Sequence, residues 1–165
     1  EETSLAMYNM LIDRLSSAGY IQYEISNFAQ PGFQSKHNSS YWHDIPYIGI
    51  GASAHSYDIK TRHWNISDIT KYISGIESCI LPFEKEFIDK NTKYDDLITT
   101  AMRTREGIET EKLKADFGND LYTYFMKEAA KHINNGTLQN VNGRVSLTRK
   151  GLFISDDIMS DLMHV

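Results

Sequence analysis

One stretch of the sequence governs the prediction of the fold: YEISNFAQPGFQSKHNSSYWHDIPYIGIGASAHSY, which runs from Tyr23 to Tyr57. Its first residues belong to an alternation in which Ile21, Tyr23 and Ile25 are separated by polar residues, and this predicts a half-buried β-strand. A polar segment of about 20 residues follows and contains HNSSYW, His37–Trp42. Structureless segments of this length are uncommon in compact domains unless they carry function. We therefore predict a loop there with a functional or disordered role.

The residues around this stretch predict alternating helices and strands. Apolar residues recur at helical spacing between residues 4 and 18, and Gly19 follows as a natural left-handed terminator, so we predict an amphipathic helix there. A helix followed directly by a strand is one step of an α/β pattern. Downstream, we predict strands at residues 47–50 and 55–59, a hairpin partner at residues 62–64, and a helix at residues 67–76.

The second half of the chain predicts a small, mostly helical module. Asn142-Gly143 predicts a tight hairpin turn because these residues tolerate positive φ angles, and Thr148 can cap a final helix. The predicted elements are helices at 89–103, 110–118, 119–133 and from Thr148 to Met163, and strands at 138–141 and 144–147. This is a winged-helix-like order. With a boundary near residues 82–91, we predict an α+β or α/β chain with domains at residues 1–82 and 83–165.

The composition is that of a globular protein and excludes several function classes. Apolar residues make up 41% and charged residues 24% of the 165 residues, so disorder is not expected. No stretch approaches the roughly 20 apolar residues of a membrane-spanning helix. The net charge is −5, and residues 89–165 contain 11 Lys and Arg against 12 Asp and Glu, which argues against a nucleic-acid-binding module. Cys79 is the only cysteine, so no intrachain disulfide is expected.

Two features indicate ligand binding without identifying the ligand. Four histidines fall within 27 residues, namely His37, His43, His55 and His63. Histidine is a common ligand of transition metals and of heme iron, but this spacing matches no zinc motif, and a lone histidine is more often a satisfied polar residue. The small residues of GIGASAHS, Gly49–Ser56, would let a ligand approach the backbone, although a tight turn explains them equally well.

Taken together, these motifs resemble a known family. The stretch Tyr23–Tyr57 resembles the C-terminal part of the oxygen-independent coproporphyrinogen III oxidase-like radical SAM proteins. HNSSYW is similar to the HNxxYW motif of the heme-chaperone branch, which the true oxidases do not share. The likeness continues through REGI at Arg105–Ile108 to the closing LTRKGLFISDDIMSDL. It implies that the first domain forms the C-terminal edge of a radical SAM partial (β/α) barrel, followed by the winged-helix-like domain.

The resemblance also implies cofactors that this chain alone would not hold. In such proteins an N-terminal partial barrel carries a [4Fe–4S] cluster on a CxxxCxxC motif, and S-adenosylmethionine binds the open iron. This sequence contains no such motif, and Cys79 cannot supply the three or four thiolates of a cluster. We therefore expect the chain to be the last part of a longer protein and to be inactive in radical chemistry by itself.

The family likeness assigns roles within HNSSYW. His37 is implied as the iron ligand of a bound heme, and Tyr41 and Trp42 as residues that stack on or flank the macrocycle. Asn38 is implied to fix the loop or a heme propionate by a hydrogen bond. The aromatic pair suits a porphyrin, which offers a large, flat, apolar face.

The second motif, GIGASAHS, is similar to the family's GIGxGAHS, which lies near S-adenosylmethionine and the tetrapyrrole. The resemblance makes Gly49, Gly51, Ala54 and His55 candidate cofactor-lining residues. Ser53 departs from the glycine of that motif, so a close backbone approach is less secure there.

Three hypotheses follow for the function. The first is a heme-handling radical SAM protein that binds heme and passes it to acceptor proteins, and HNSSYW favours it. The second is a true oxygen-independent coproporphyrinogen III oxidase of porphyrin biosynthesis. The third is a winged-helix binding module without a cofactor. We expect a cytoplasmic protein without a nucleic-acid partner or a membrane span, and a homodimer is one way to cover the apolar surface of an isolated barrel edge.

Overall fold

The computed structural model describes residues 2–164, and its contacts divide the chain into two compact units. The first unit comprises the chain up to Trp42 together with the chain from Tyr94 onward, and the second comprises His43–Lys93. The first unit is therefore discontinuous in sequence. The division into domains at residues 1–82 and 83–165 stays a prediction.

The described residues form seven helices and eight strands. The helices are α1 (Glu2–Ser17), α2 (Lys36–Trp42), α3 (Ile69–Glu77), α4 (Lys90–Ala101), α5 (Thr110–Asn134), α6 (Arg149–Leu152) and α7 (Ser155–Leu162). The strands are β1 (Ile21–Glu24), β2 (Asn27–Ala29), β3 (His55–Tyr57), β4 (Thr61–Asn65), β5 (Phe83–Phe87), β6 (Ile108–Glu109), β7 (Leu138–Val141) and β8 (Arg144–Leu147). The chain is thus of mixed α and β structure.

The first helix and strand of the first unit agree with the spacing of apolar residues in the sequence. Helix α1 confirms the predicted amphipathic helix, and Gly19 follows it with a φ angle of 83°, the left-handed conformation expected of a terminator. Strand β1 confirms the predicted strand, and it pairs antiparallel with β2. Because Ile21 and Gln22 face Ala29 and Phe28 across this pair, the two strands form a short hairpin.

The hydrophobic core of the first unit is built by its C-terminal half. Side chains at helical spacing on α4 and α5 pack against the sheet β6-β8-β7 and against α7. Its large, fully buried members include Tyr94, Ile98, Met102, Phe125, Leu138 and Ile158. The Tyr94 hydroxyl donates a hydrogen bond of 2.9 Å to the carbonyl oxygen of Leu162, which satisfies its polar group inside the core. Burial raises the pKa of this tyrosine.

The second half of the chain confirms the predicted turns and corrects one helix. Gly118 lies inside α5 with φ 81° and ψ 176°, so the helix is kinked there, between the two predicted helices. Asn142 and Gly143 have positive φ angles and join β7 to β8, as predicted. The single helix predicted after Thr148 is wrong, because the non-helical backbone of Ile154 separates α6 from α7.

An ion pair joins α1 to α6 within the first unit. The Arg149 guanidinium donates to both carboxylate oxygens of Asp13, at 2.5 and 2.9 Å, and its Nε donates to the Asn9 side chain at 2.8 Å. This bidentate geometry holds the pKa of the Asp13 carboxyl below its usual value. The pair is exposed, so it orients α1 more than it stabilises the fold.

The second unit is a three-stranded antiparallel sheet in the order β3-β4-β5 with helix α3. The pairing of β3 with β4 confirms the predicted hairpin, and α3 confirms the predicted helix. The strand predicted at residues 47–50 is wrong, because only Tyr47 makes a β-bridge, to Tyr57. Strand β5 was not predicted, since it falls beside the expected domain boundary. It pairs with β4 along five residues.

The second unit has little apolar core of its own. Among the described residues, the buried apolar side chains all lie outside His43–Lys93, and the buried side chains within it are Ser56, Thr61 and Asn65. Large apolar side chains stand exposed instead, with Ile48 at 85%, Ile50 at 89% and Phe87 at 77% exposure. Across residues 2–164, no helix combines the length and the apolar character that crossing a membrane requires.

A first prediction concerns Gly107, which lies in the REGI motif with a φ angle of 64°. A Cβ atom there would lie 2.2 Å from the carbonyl oxygen of Val145, so Gly107→Ala should disrupt the pairing of β6 with β8. We expect a loss of about 3 kcal/mol in the free energy of unfolding, measured by urea titration. Gly136→Ala is the matched control, because Gly136 also has a positive φ angle but open space around it. Its cost should be about 1 kcal/mol, and equal losses would contradict the steric argument.

A second prediction concerns the carboxylate of Glu24, which is 2% exposed. Its Oε1 accepts a hydrogen bond of 2.9 Å from Nε of Arg103 and forms an ion pair of 2.9 Å with Nη2 of the same guanidinium. Arg103→Ala would leave this charge buried without its cation, so we expect the free energy of unfolding to fall by about 2–3 kcal/mol. The control is Arg105→Ala, because the Arg105 side chain is exposed and its variant should change stability by less than about 0.5 kcal/mol. Similar unfolding midpoints for the two variants would argue against a stabilising Glu24–Arg103 clamp.

Candidate functional site

The HNSSYW segment is helical, which corrects the prediction of a loop. Residues 36–42 form α2, and Ser35 stands directly before this helix. The Ser35 hydroxyl accepts a hydrogen bond of 3.3 Å from the backbone N–H of Asn38, as an N-cap does. The Ser39 and Ser40 hydroxyls donate to the carbonyl oxygens four residues before them. These local bonds favour one turned conformation over an open polar loop.

A tight turn at residues 30–33 precedes this helix. The backbone N–H of Phe33 donates to the carbonyl oxygen of Gln30 at 3.0 Å, and Gly32 has a φ angle of 83°. Pro31 followed by a glycine with positive φ is the sequence pattern of a type II turn. Phe33 leaves this turn with 78% of its surface exposed, four residues before His37. Phe33 was not among the predicted site residues, although an aromatic residue beside a proline-glycine turn is a visible signal in the sequence.

The helix divides the four predicted heme-binding residues between two faces. His37 and Tyr41 are four residues apart, so they lie on one face, and both are exposed. Their rings meet edge to face, with centroids 5.2 Å apart at 82°, and the Tyr41 hydroxyl lies 3.1 Å from Nε2 of His37. This face presents an imidazole and a phenol to the surface.

The other two predicted residues support the helix. Asn38 and Trp42 are also four residues apart and are partly buried. The Trp42 ring packs against the Tyr23 ring with centroids 6.0 Å apart at 59°, and the Tyr23 hydroxyl accepts a hydrogen bond of 3.3 Å from the backbone N–H of Ser35. Strand β1 therefore holds both ends of the short helix. Trp42 is an anchor of α2 in this arrangement.

Strand β1 is in turn attached to the C-terminal module through Glu24. Besides the Arg103 contacts, the Glu24 carboxylate accepts hydrogen bonds of 2.8 Å from the Ser26 N–H and 2.7 Å from the Asn27 amide. The backbone adds a bond from the Ile25 N–H to the carbonyl oxygen of Arg103 at 3.1 Å. Sequence reasoning missed this clamp because its two charged residues are 79 positions apart.

A cavity of about 460 Å³ opens beside this clamp within the first unit. Its polar lining includes Gln22, Glu24, Arg103, Gln139 and Ser146. None of the eight predicted site residues lines it, and its buried carboxylate is already paired with Arg103. The cavity is therefore separate from the predicted heme and cofactor residues.

The second motif, GIGASAHS, lies in the second unit and folds back on itself. The backbone N–H of Gly49 donates to the Ser56 hydroxyl at 2.9 Å, and a Cβ atom on Gly49 would lie 2.1 Å from the carbonyl oxygen of His55. The buried Asn65 amide donates to the carbonyl oxygen of Gly51 at 2.9 Å. Gly49 thus has no side chain because the backbone of His55 packs directly against it.

Gly51 and Ser53 take left-handed backbone conformations. Gly51 has a φ angle of 111° with open space around its Cα, and its N–H donates to the Tyr72 hydroxyl at 3.1 Å. Ser53 has a φ angle of 60°, which favours the glycine that the resembling motif has there. The backbone N–H of Ala54 donates to the carbonyl oxygen of Gly51 at 3.2 Å, which closes the turn.

His55 begins strand β3 and stacks on an aromatic neighbour. Its ring lies 5.8 Å from the Trp64 ring at 29°, because His55 and Trp64 face each other across β3 and β4. The Trp64 indole N–H donates to the Glu84 carboxylate at 3.1 Å. His55 is exposed, so its imidazole is accessible.

The predicted residues thus form two groups in different compact units. His37, Asn38, Tyr41 and Trp42 share one helix in the first unit, and Gly49, Gly51, Ala54 and His55 share one turn in the second. In residues 2–164, no three His, Cys, Asp or Glu side chains gather as they would around a metal ion. An axial ligand of heme iron is a different requirement, since one exposed imidazole can meet it.

The comparisons with known proteins first define a class. Residues 88–154 match the family model described as the HemN C-terminal domain. The coproporphyrinogen III oxidase HemN from Escherichia coli, described as a radical SAM enzyme, matches the fold with a TM-score of 0.72 at 14% identity, over 94% of this chain and 39% of that chain. The chain resembles the C-terminal region of the coproporphyrinogen III oxidase-like radical SAM family.

Relatives named heme chaperone HemW are similar over nearly the whole chain. The one from Lactococcus lactis is 29% identical, covering 99% of this chain and 43% of the relative, and that from Bacillus subtilis is 28% identical, covering 96% and 42%. The Escherichia coli HemW is 56% identical over 83 residues. The resemblance to the heme-chaperone branch is thereby confirmed. The chain spans less than half the length of these relatives.

A prediction follows for the GIGASAHS turn. Gly49→Ala would force a Cβ atom into the His55 carbonyl, so we expect the free energy of unfolding of the second unit to fall by about 2–3 kcal/mol. Ser53→Gly is the contrasting variant, because glycine relieves the positive φ angle of Ser53 and should leave stability unchanged or raise it by up to about 1 kcal/mol. Hydrogen exchange of the amides in β3 and β4 would report both effects. Equal protection in Gly49→Ala and the parent protein would contradict the close approach.

Proposed function

We propose that this protein binds heme through His37 and transfers it to acceptor proteins, as a heme chaperone. The main support is that α2 presents His37 and Tyr41 together on one exposed face, while Trp42 on the other face packs against Tyr23. An exposed imidazole supplies the nitrogen that iron requires, and exposure suits a ligand that must be both loaded and released. The names of the relatives support the same function.

Within this proposal the neighbouring residues have distinct roles. His37 is the iron ligand, and Tyr41 and the exposed Phe33 offer aromatic surface to the porphyrin edge. Trp42 acts by holding α2 against Tyr23. Asn38 lies on that inner half of the helix and is half-buried, so it fixes the segment more readily than it reaches a propionate. Heme is cargo here and not a resident cofactor.

S-adenosylmethionine and a [4Fe–4S] cluster belong to this proposal only for a longer protein. Escherichia coli HemN, which shares the fold, is described as a radical SAM enzyme. The sequence has one cysteine, Cys79, which does not fit the several thiolates of a cluster, so no step is assigned to a cluster on this chain. Gly51, Ala54 and His55 are proposed to line the S-adenosylmethionine site of such a protein, with Gly49 shaping the turn.

The barrel edge and the winged-helix-like module are also proposals. We propose that the second unit is part of a barrel edge, because its large apolar side chains are exposed and its own core is small. The kinked α5 and the sheet β6-β8-β7 support a winged-helix-like module. A cytoplasmic location is proposed because the single cysteine, Cys79, suits a reducing compartment. An oxidase acting on coproporphyrinogen III is the alternative, and HNSSYW disfavours it.

Heme titration of the protein and of His37→Ala tests this function. Removing the imidazole should shift the Soret band and weaken heme binding at least about tenfold, because axial ligation would be lost. His164→Ala is the matched control, since His164 is also an exposed histidine that meets a tyrosine ring edge to face, and its spectrum should stay that of the parent. An unchanged Soret band and affinity in His37→Ala would refute the proposed ligand. Turnover of coproporphyrinogen III by a longer, reconstituted protein that contains this chain would favour the oxidase.

A further inference from the structure

The hydrogen bond between His37 and Tyr41 involves Nε2, one of the two imidazole nitrogens that can bind iron. The Tyr41 hydroxyl oxygen lies 3.1 Å from Nε2 of His37, and the rings are nearly perpendicular at 82°. The two rings meet edge to face, and the phenol oxygen lies within hydrogen-bond distance of the imidazole nitrogen. The contact is therefore a hydrogen bond to Nε2 and differs from face-to-face stacking.

Either assignment of the proton leaves this nitrogen occupied. If the Tyr41 hydroxyl donates, the Nε2 lone pair accepts the hydrogen bond and is not available to a metal. If His37 donates, Nε2 carries the proton and has no lone pair in the ring plane to offer. Iron and the Tyr41 hydroxyl thus compete for one atom. The conclusion holds for both tautomers of the neutral imidazole.

We propose that Tyr41 is a latch on the heme site, whose hydroxyl must leave Nε2 of His37 before the iron can bind there. This inference rests on the proposed function, since it concerns the regulation of the same site. The latch slows loading of heme when it is closed. It also competes for His37 during transfer, because the hydroxyl can return to Nε2 as the iron leaves.

The surroundings allow the latch to open without unfolding the helix. Both side chains are exposed, so water can replace the hydrogen bond. Rotation of Tyr41 about its side-chain bonds frees Nε2 while α2 stays held through Ser35 and Trp42. The released phenol ring then has an edge or a face to offer the porphyrin. The same residue therefore closes the empty site and lines the loaded one.

The anchoring of α2 sets the geometry of the latch. A spacing of four residues places the two side chains on the same helical face only while residues 36–42 remain helical. The capping by Ser35 and the packing of Trp42 on Tyr23 therefore maintain the competition for Nε2. A freely moving loop would hold the hydroxyl near the nitrogen only part of the time.

Tyr41→Phe tests the latch, because it removes the hydroxyl and keeps the ring. We expect this variant to bind hemin about three- to tenfold more tightly, the range that corresponds to loss of one competing exposed hydrogen bond. The gain should appear in the association rate measured by stopped-flow absorbance, and transfer of hemin to excess apomyoglobin should slow. Tyr122→Phe is the matched control, since Tyr122 lies on α5 and its ring contacts Lys114. It should match the parent protein.

The double variant Tyr41→Phe with His37→Ala separates this inference from the proposed function. If the latch acts on His37, the double variant should bind hemin as His37→Ala alone does, so the gain from Tyr41→Phe should vanish. A Tyr41→Phe protein with unchanged or weaker hemin binding would overturn the latch while His37 remained the ligand. A His37→Ala protein with parental Soret band and affinity would overturn the proposed function itself.

Discussion

The contact on which the site depends is the buried ion pair between Glu24 and Arg103. It joins the hairpin after α1 to the turn that follows α4, across 79 residues of sequence, and the backbone bond from Ile25 to Arg103 runs beside it. A carboxylate that is 2% exposed is stable only when its oxygens are fully hydrogen-bonded, and here Ser26 and Asn27 complete the set begun by Arg103. The clamp thereby ties the N-terminal segment to the one sizeable apolar core that the described residues contain.

A short series of contacts connects this ion pair to the exposed face of α2. Strand β1 carries Tyr23 next to Glu24, and Tyr23 supports α2 through the Trp42 ring and the Ser35 N–H. The helix then presents His37 and Tyr41 to the surface. A seven-residue helix is not stable alone, because nucleation costs more than so few hydrogen bonds return. Its tertiary anchors therefore decide whether the histidine has a defined partner at all.

The sequence anticipated much of the fold and the importance of HNSSYW, and it failed where long-range contacts decide. The period of α1, the Asn142-Gly143 turn and the break at Gly118 are local signals, and each was predicted. The segment around His37 was predicted as a loop, because serines and asparagine favour turns and the supporting Tyr23 is distant from it. Strand β5 was missed because its residues pair only with β4 in the folded sheet.

The residue types and their order by themselves determined the family resemblance, the mixed α and β character, and the histidine and aromatic residues suited to a heme. Those properties depend on the identity and spacing of residues, which are complete in the sequence. The tertiary structure alone decided that Trp42 faces Tyr23, that Tyr41 meets Nε2 of His37, and that Gly49 makes room for the His55 carbonyl. Such contacts depend on the angle at which a helix or turn is held, and that angle is set by residues far away in the chain.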